Sequence, residues 1–106
     1  MSDLLLRTTQ RAAHIRIFVI GALDARSAHA FERRFGRVLD AAAAPVQVAV
    51  DLRCCTFVDH TGLLALAGAR TVVQSRGGDL RLEAVPPLIE RLIDVRGLAD
   101  QLLPTA

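Results

Sequence analysis

The order of residue patterns predicts an α/β fold: a mixed β-sheet with helices packed over it. Three observations carry this. Short apolar, β-branched runs stand at His14–Ile20, Val46–Leu52 and Asp79–Ala84. Segments with helical periodicity separate them. Turn residues punctuate the joins, at Gly21, Pro45 and Gly77-Gly78. With 106 residues the chain suffices for one compact domain, 1–106, around one hydrophobic core. Four Phe and no Trp or Tyr mean that Leu, Val, Ile and Ala must build that core.

Each element has a local reason. In His14–Ile20 (HIRIFVI), Ile15, Ile17 and Val19 share one alternation and Phe18 and Ile20 the other, as in a strand partly covered on both faces. From Ser27, a plausible N-cap, Phe31, Phe35, Val38 and Ala42 recur at spacings of four, three and four, the stripe of an amphipathic helix. Ala41–Ala44 followed by Pro45 marks that helix running out. Val46–Leu52 (VQVAVDL) has few polar breaks and reads as a central strand buried on both faces, with Asp51 conspicuous near its end. Arg53–Val58 reads as irregular. A second helix is expected from near Thr61 to about Ser75, ended by Gly77-Gly78. Asp79–Ala84 alternates as a strand. Pro86-Pro87 opens a short helix carrying Leu88, Ile89, Leu92 and Ile93, which Gly97 closes before a last turn or short helix at Leu98–Leu103.

Charge and cysteine usage exclude several function classes. Thirteen Arg against eleven acids leave a net charge of only +2, and the basic residues are interspersed with acids and lack interleaved aromatics, so nucleic acid is not an expected partner. Arg33, Arg34 and Arg37 form one cluster, read as the solvated face of a helix. Cys54 and Cys55 are adjacent, which strains any disulfide between them, and the chain is expected to be cytoplasmic. Together with His60 they lack Cys-x-x-Cys spacing and a fourth ligand, so no metal and no cofactor is expected. The three-Leu run in MSDLLLRTTQR is too short for a signal-peptide core, and no segment reaches the roughly 18 apolar residues of a transmembrane helix. No catalytic set is placed together by the sequence. Gly77-Gly78 lacks the Lys-Ser/Thr ending of a phosphate-binding loop.

The most informative run leads from Asp51-Leu52 through Phe57-Val58 to Asp59-His60-Thr61-Gly62-Leu63. It resembles the signature of the STAS domain family (sulphate transporter and anti-sigma factor antagonist), in which a strand ending in Asp leads through a loop to an Asp-Ser-Ser/Thr-Gly-Leu motif at a helix start. Gly21-Ala22-Leu23-Asp24 is similar to the family's Gly-Glu-Leu-Asp turn, and Arg76-Gly77-Gly78-Asp79-Leu80 to the turn before a later strand. The likeness covers most of His14–Leu103. It implies a STAS-like mixed sheet of about four or five strands packed against about four helices. It further implies a non-enzymatic anti-sigma factor antagonist, monomer or weak dimer, that binds an anti-sigma factor with Ser/Thr kinase activity. Phosphorylation at Thr61 would end the binding and a phosphatase would restore it. Asp24, Asp59, His60, Thr61, Gly62 and Leu63 would form the partner-binding face.

Elementary electrostatics fits that implication. A helix N-terminus offers unpaired N–H groups and partial positive charge, so a hydroxyl there is well placed to carry a phosphate. Gly62 removes a side chain beside the hydroxyl, which would let another protein's active site approach the backbone. A plainer role is equally open to these residues: Thr or Asp before an apolar helix serves as an N-cap worth about 1 kcal/mol, and Asp24 as an Asx-type turn former. Two departures from the family pattern bear on the partner. His60 replaces a small Ser with a bulkier, titratable group, and Ala22 removes an acidic side chain. Rival readings are a non-switching STAS subunit of a lipid-transport or stress-signalling complex, and a small nucleotide-dependent or thiol enzyme using Cys54 or Cys55.

Overall fold

A computed structural model describes residues 4–43 and 45–103. Met1–Asp3 of the N-terminal run and Ala44 of the alanine tract lie outside the described residues, as do residues 104–106. The elements in chain order are β1 (Leu5–Arg11), β2 (His14–Leu23), α1 (Ala28–Ala41), β3 (Gln47–Asp51), β4 (Cys55–Val58), α2 (His60–Ser75), β5 (Asp79–Glu83), α3 (Pro87–Val95) and α4 (Ala99–Leu102). The five strands make one mixed sheet in the order β1-β2-β3-β5, with β4 added to β2. β1 runs antiparallel to β2, while β2–β3, β3–β5 and β2–β4 are parallel.

Two strands go beyond the sequence expectation. β1 hairpins onto β2 from Leu5↔Ile20 to Arg11↔His14, across a link in which Ala12 takes a positive φ of 53°. Apart from half-buried Leu6, its residues are exposed, so it carries no apolar alternation for a sequence reading to find. β4 lies in the stretch expected to be irregular. It resumes pairing with β2 at Gly21↔Cys55, after β3 has left it at Phe18↔Asp51, and so lengthens β2 to Leu23. With only four residues, buried at its two ends alone, it too has no period-two signature.

The core lies on one face of the sheet. Ile15, Ile17 and Val19 of β2, Val48 and Val50 of β3, and Leu80 and Leu82 of β5 are buried. Against them pack Phe31, Phe35 and Leu39 of α1, Leu63, Leu66 and Val73 of α2, and Ile89 and Ile93 of α3. The Phe31 and Phe35 rings stack at 5.6 Å. Full burial of each such side chain contributes about 1.5–3 kcal/mol. α2 ends as its glycines require: Gly77 adopts φ +88°, and Gly78 N–H donates to the Val73 carbonyl.

Ser27 precedes α1 but does not cap it with its side chain. Its hydroxyl is buried and turned back, 2.8 Å from the Ala22 carbonyl, and it accepts from Asp24 N–H. Asp24 supplies the acceptor instead, its Oδ1 taking the N–H groups of Arg26 and Ser27. The side chain one helical turn earlier thus outcompetes the residue at the boundary.

On the opposite face Asp51, 2 % exposed, accepts from Arg53 N–H and faces Arg16 at 3.6 Å. Arg16 and Arg81 both bond Glu83, and these contacts, Arg81 first, hold its carboxyl below the ordinary value of 4.5. A lowered folded-state pKa stabilises the fold above the unfolded-state value and is lost as pH falls through the folded-state value. The melting temperature is therefore expected to drop as pH falls from about 5 to about 3. In Glu83→Gln the drop over that window should be shallower. Parallel pH series of thermal melts check this, and identical slopes would show that Glu83 carries none of the acid sensitivity.

Candidate functional site

The C-terminal ends of β2 and β4 bring the Asp24 turn and the start of α2 to one end of the sheet. Asp59 leaves β4 in an extended conformation (φ −108°, ψ −176°) and caps α2, its Oδ1 accepting from Gly62 N–H at 2.8 Å. Its Oδ2 accepts from Ala25 N–H at 3.0 Å. One carboxylate thus ties the N-terminus of α2 to the turn after β2, two segments 34 residues apart in the chain. Both of its oxygens are engaged in holding backbone.

Thr61 is therefore not the cap. It is the second residue of α2, exposed, and its hydroxyl has no hydrogen-bond partner among the described residues. His60, the first residue, is also exposed. First-turn N–H groups lack acceptors within their own helix. Asp59 takes that of Gly62 and leaves those of His60 and Thr61 at the exposed tip.

Two of the expected face residues do something else. A Cβ on Gly62 would stand 2.1 Å from the Leu23 carbonyl oxygen. The missing side chain makes room for the protein's own β2, which correspondingly accepts from Asp59 N–H through that carbonyl at 3.4 Å. Gly62 is buried and does not present backbone to a visitor. Leu63 is fully buried in the core and offers a partner no surface. Asp24, Asp59, His60 and Thr61 remain at the surface of this end, Asp24 and Asp59 half-buried.

Two apolar side chains join them. Phe57 of β4 is 55 % exposed and Leu64, one helical turn beyond Thr61, is 49 % exposed. Phe57 stands in the motif as half of the Phe57-Val58 pair, and nothing local marks it as the outward member. Leu64 lies in the GLLALAGA run, apolar on nearly every side, where periodicity cannot separate the outward Leu from the inward one. The tip thus combines a free hydroxyl, an imidazole, two carboxylates engaged by backbone N–H groups and two exposed apolar side chains.

The two adjacent cysteines stand where the turn after β3 enters β4 and divide between surface and core. Cys54 is exposed, and Cys55 is buried with its thiol pKa pushed up by that burial. A raised pKa keeps the Cys55 thiol protonated and poorly nucleophilic. Among the described residues no three His, Cys, Asp or Glu side chains gather as metal ligands, and no helix is long and apolar enough to cross a membrane. Arg33, Arg34 and Arg37 lie exposed along α1, Arg34 reaching the Leu4 carbonyl.

Comparison with known proteins places this geometry in a family. A family model described as "Mlab, STAS domain" matches residues 6–104. The anti-sigma-B factor antagonist of Bacillus subtilis (strain 168) is 30% identical over 95 residues, 86% of this chain and 81% of that protein. Among solved structures, an anti-sigma factor antagonist from Mycobacterium paratuberculosis superposes with a TM-score of 0.79 at 24% identity, covering 99% of this chain and 92% of that one. The Bacillus cell fate determinant SpoIIAA in its phosphorylated form gives 0.69 at 14% identity, over 96% of this chain and 92% of its own. The five-stranded mixed sheet and its four helices are thus those of a STAS domain, and the chain belongs to the STAS family.

Proposed function

We propose that this protein is an anti-sigma factor antagonist that binds an anti-sigma factor with Ser/Thr kinase activity and is switched off by phosphorylation at Thr61. The observation that carries the reading is an exposed hydroxyl without a structural task, at the positive tip of α2 and on the same end as the Asp24 turn. Asp59 already does the capping, so Thr61 is not needed for the helix to start. Phe57 and Leu64 give a docking partner apolar surface beside the acceptor. A phosphate adds about −1.5 to −2 charges at neutral pH. It would stand next to Asp24 and Asp59 and close to the N–H groups of His60 and Thr61, so it is held locally while opposing a partner surface complementary to the unmodified tip. A phosphatase would reverse the switch, and all of this chemistry belongs in the cytoplasm, where kinase and sigma factor reside.

The test is to incubate the protein with its cognate kinase and ATP and to map the phosphate by mass spectrometry. Modification at Thr61 is expected, with partner binding lost in step. Thr61→Ala should bind the kinase without being modified or released, and its stability should stay within about 0.5 kcal/mol because the side chain is exposed. Phosphate on another residue, with Thr61→Ala still switching, would reject the reading. The matched family description, Mlab, favours a second reading: a STAS subunit that does not switch, in a lipid-transport or stress-signalling complex. Recovery of a transporter ATPase in place of a kinase from native cells would identify it.

A further inference from the structure

The face of the sheet that the helices leave open is built from three cross-strand rows. Arg7, Phe18, Asp51 and Glu83 form one; Thr9, Arg16, Ala49 and Arg81 the next; Arg11, His14, Gln47 and Asp79 the third. Directly paired residues share a face, so these side chains, Asp79 at the start of β5 excepted, project from the side opposite the core. Asp79 is turned to Arg70 of α2, which bonds it at 3.0 Å. The remaining charges are four arginines against Asp51 and Glu83, so an excess equal to the whole chain's net charge of +2 stands on this one face.

The charge surrounds a depression. A cavity of about 530 Å³ lies over the second and third rows, lined among others by Arg11, His14, Arg16, Gln47 and Arg81. Ala49, the small side chain between Arg16 and Arg81 in its row, forms part of the floor. The two arginines beside it are held in place. Arg16 bonds Glu83 and faces Asp51 through Nη1 alone, and Arg81 bonds Glu83 through Nε. The other N–H groups of both guanidiniums have no partner among the described residues. The Arg11 guanidinium likewise has no partner among the described residues. A guanidinium fixed from one side with its remaining fork unspent is the arrangement that binds phosphoryl oxygens in pairs. Same-face rows stand about 6.7 Å apart, so Arg16 and Arg81 in one row and Arg11 and His14 in the next are spaced for two phosphoryl groups of one molecule.

We infer that this cavity is a binding site for a small ligand carrying two or more phosphoryl groups, or a phosphorylated headgroup of the same chemistry. The site does not depend on the proposed role of Thr61. It opens at the first residue of β2, whereas the Thr61 tip stands beyond its last, about 30 Å away along ten residues of strand.

Inorganic tripolyphosphate, titrated into the ¹⁵N-labelled full chain at low ionic strength, is expected to shift the amide signals of His14, Arg16, Ala49 and Arg81 and to leave Thr61 unmoved. Arg11→Gln and Arg81→Gln should each weaken binding about tenfold, with an unchanged spectrum elsewhere as the folding check, while Arg37→Gln on α1 should have no effect. Sedimentation with phosphatidylcholine vesicles containing cardiolipin, whose headgroup carries two phosphoryl groups, against phosphatidylcholine alone, separates the sources. Arg81-dependent co-sedimentation identifies a lipid headgroup, and tripolyphosphate binding without it identifies a soluble ligand. Absence of binding in both arms overturns the inference. So does weakening by Arg37→Gln as large as by Arg81→Gln, which would mean that any arginine on the surface serves.

Discussion

Gly62→Ala is expected to destabilise the protein by about 2–3 kcal/mol, lowering the melting temperature by on the order of 10 °C for a domain of this size. The added methyl would stand 2.1 Å from the Leu23 carbonyl oxygen and 2.9 Å from the carbonyl carbon. Both are backbone atoms at the end of β2, so no side chain can swing aside. The strain can be relieved only by lifting the first turn of α2 off the sheet, which stretches the Asp59–Gly62 and Asp59–Ala25 bonds together. Gly68→Ala, in the middle of the same helix, is the control, because a Cβ there meets nothing within 4 Å. Replacing a helical glycine in open space should stabilise by up to about 1 kcal/mol. Urea unfolding of both variants with comparable m-values decides the matter. Equal and opposite-to-expected shifts, or a Gly62→Ala protein as stable as the parent, would mean that the close approach to Leu23 is not rigid.

Asp59→Ala is expected to cost about 2–3 kcal/mol as well, by a different route. It removes the acceptor of two backbone N–H groups, those of Gly62 and Ala25, from a half-buried position. Losing the cap alone accounts for about 1 kcal/mol, and the remainder is the tie between the two loops. Asp59→Asn retains one carbonyl acceptor and should fall between the parent and the alanine variant. Hydrogen exchange locates the effect: faster exchange at both Ala25 and Gly62 in Asp59→Ala supports the bridge, whereas a change confined to α2 would leave only a cap. Because the bridge sets the spacing between the Asp24 turn and Thr61, the proposed function has Asp59→Ala weaken binding of the kinase even though Thr61 is intact.

Much of this architecture is legible from local pattern. The stripe Phe31, Phe35, the apolar run Val46–Leu52, the double Gly after α2 and the Pro86-Pro87 start of α3 each reflect preferences within a turn or two of chain, and each stands where the pattern puts it. β1 and β4 were not legible, since one is exposed along nearly all its length and the other is four residues long. Their existence depends on hydrogen bonds to β2, which no local period records. At the helix boundaries the sequence names the right residue types without assigning the roles. Ser27 is a capping residue by type, yet its hydroxyl turns to Ala22 while Asp24 caps.

The Asp59–Leu63 run shows the same division at the site itself. By itself the sequence determined that a polar, hydroxyl-bearing segment opens an apolar helix after a buried strand, because capping chemistry and periodicity are properties of neighbours along the chain. Only the tertiary structure decided that Asp59 caps and leaves Thr61 free, that Gly62 exists for Leu23, that Leu63 faces the core while Leu64 faces solvent, and that the Asp24 turn lies beside them. The cap itself is local, but the Asp59–Ala25 bond, the close approach of Leu23 to Gly62 and the burial of Leu63 join residues distant in sequence, and burial and steric exclusion are set by what the fold brings near.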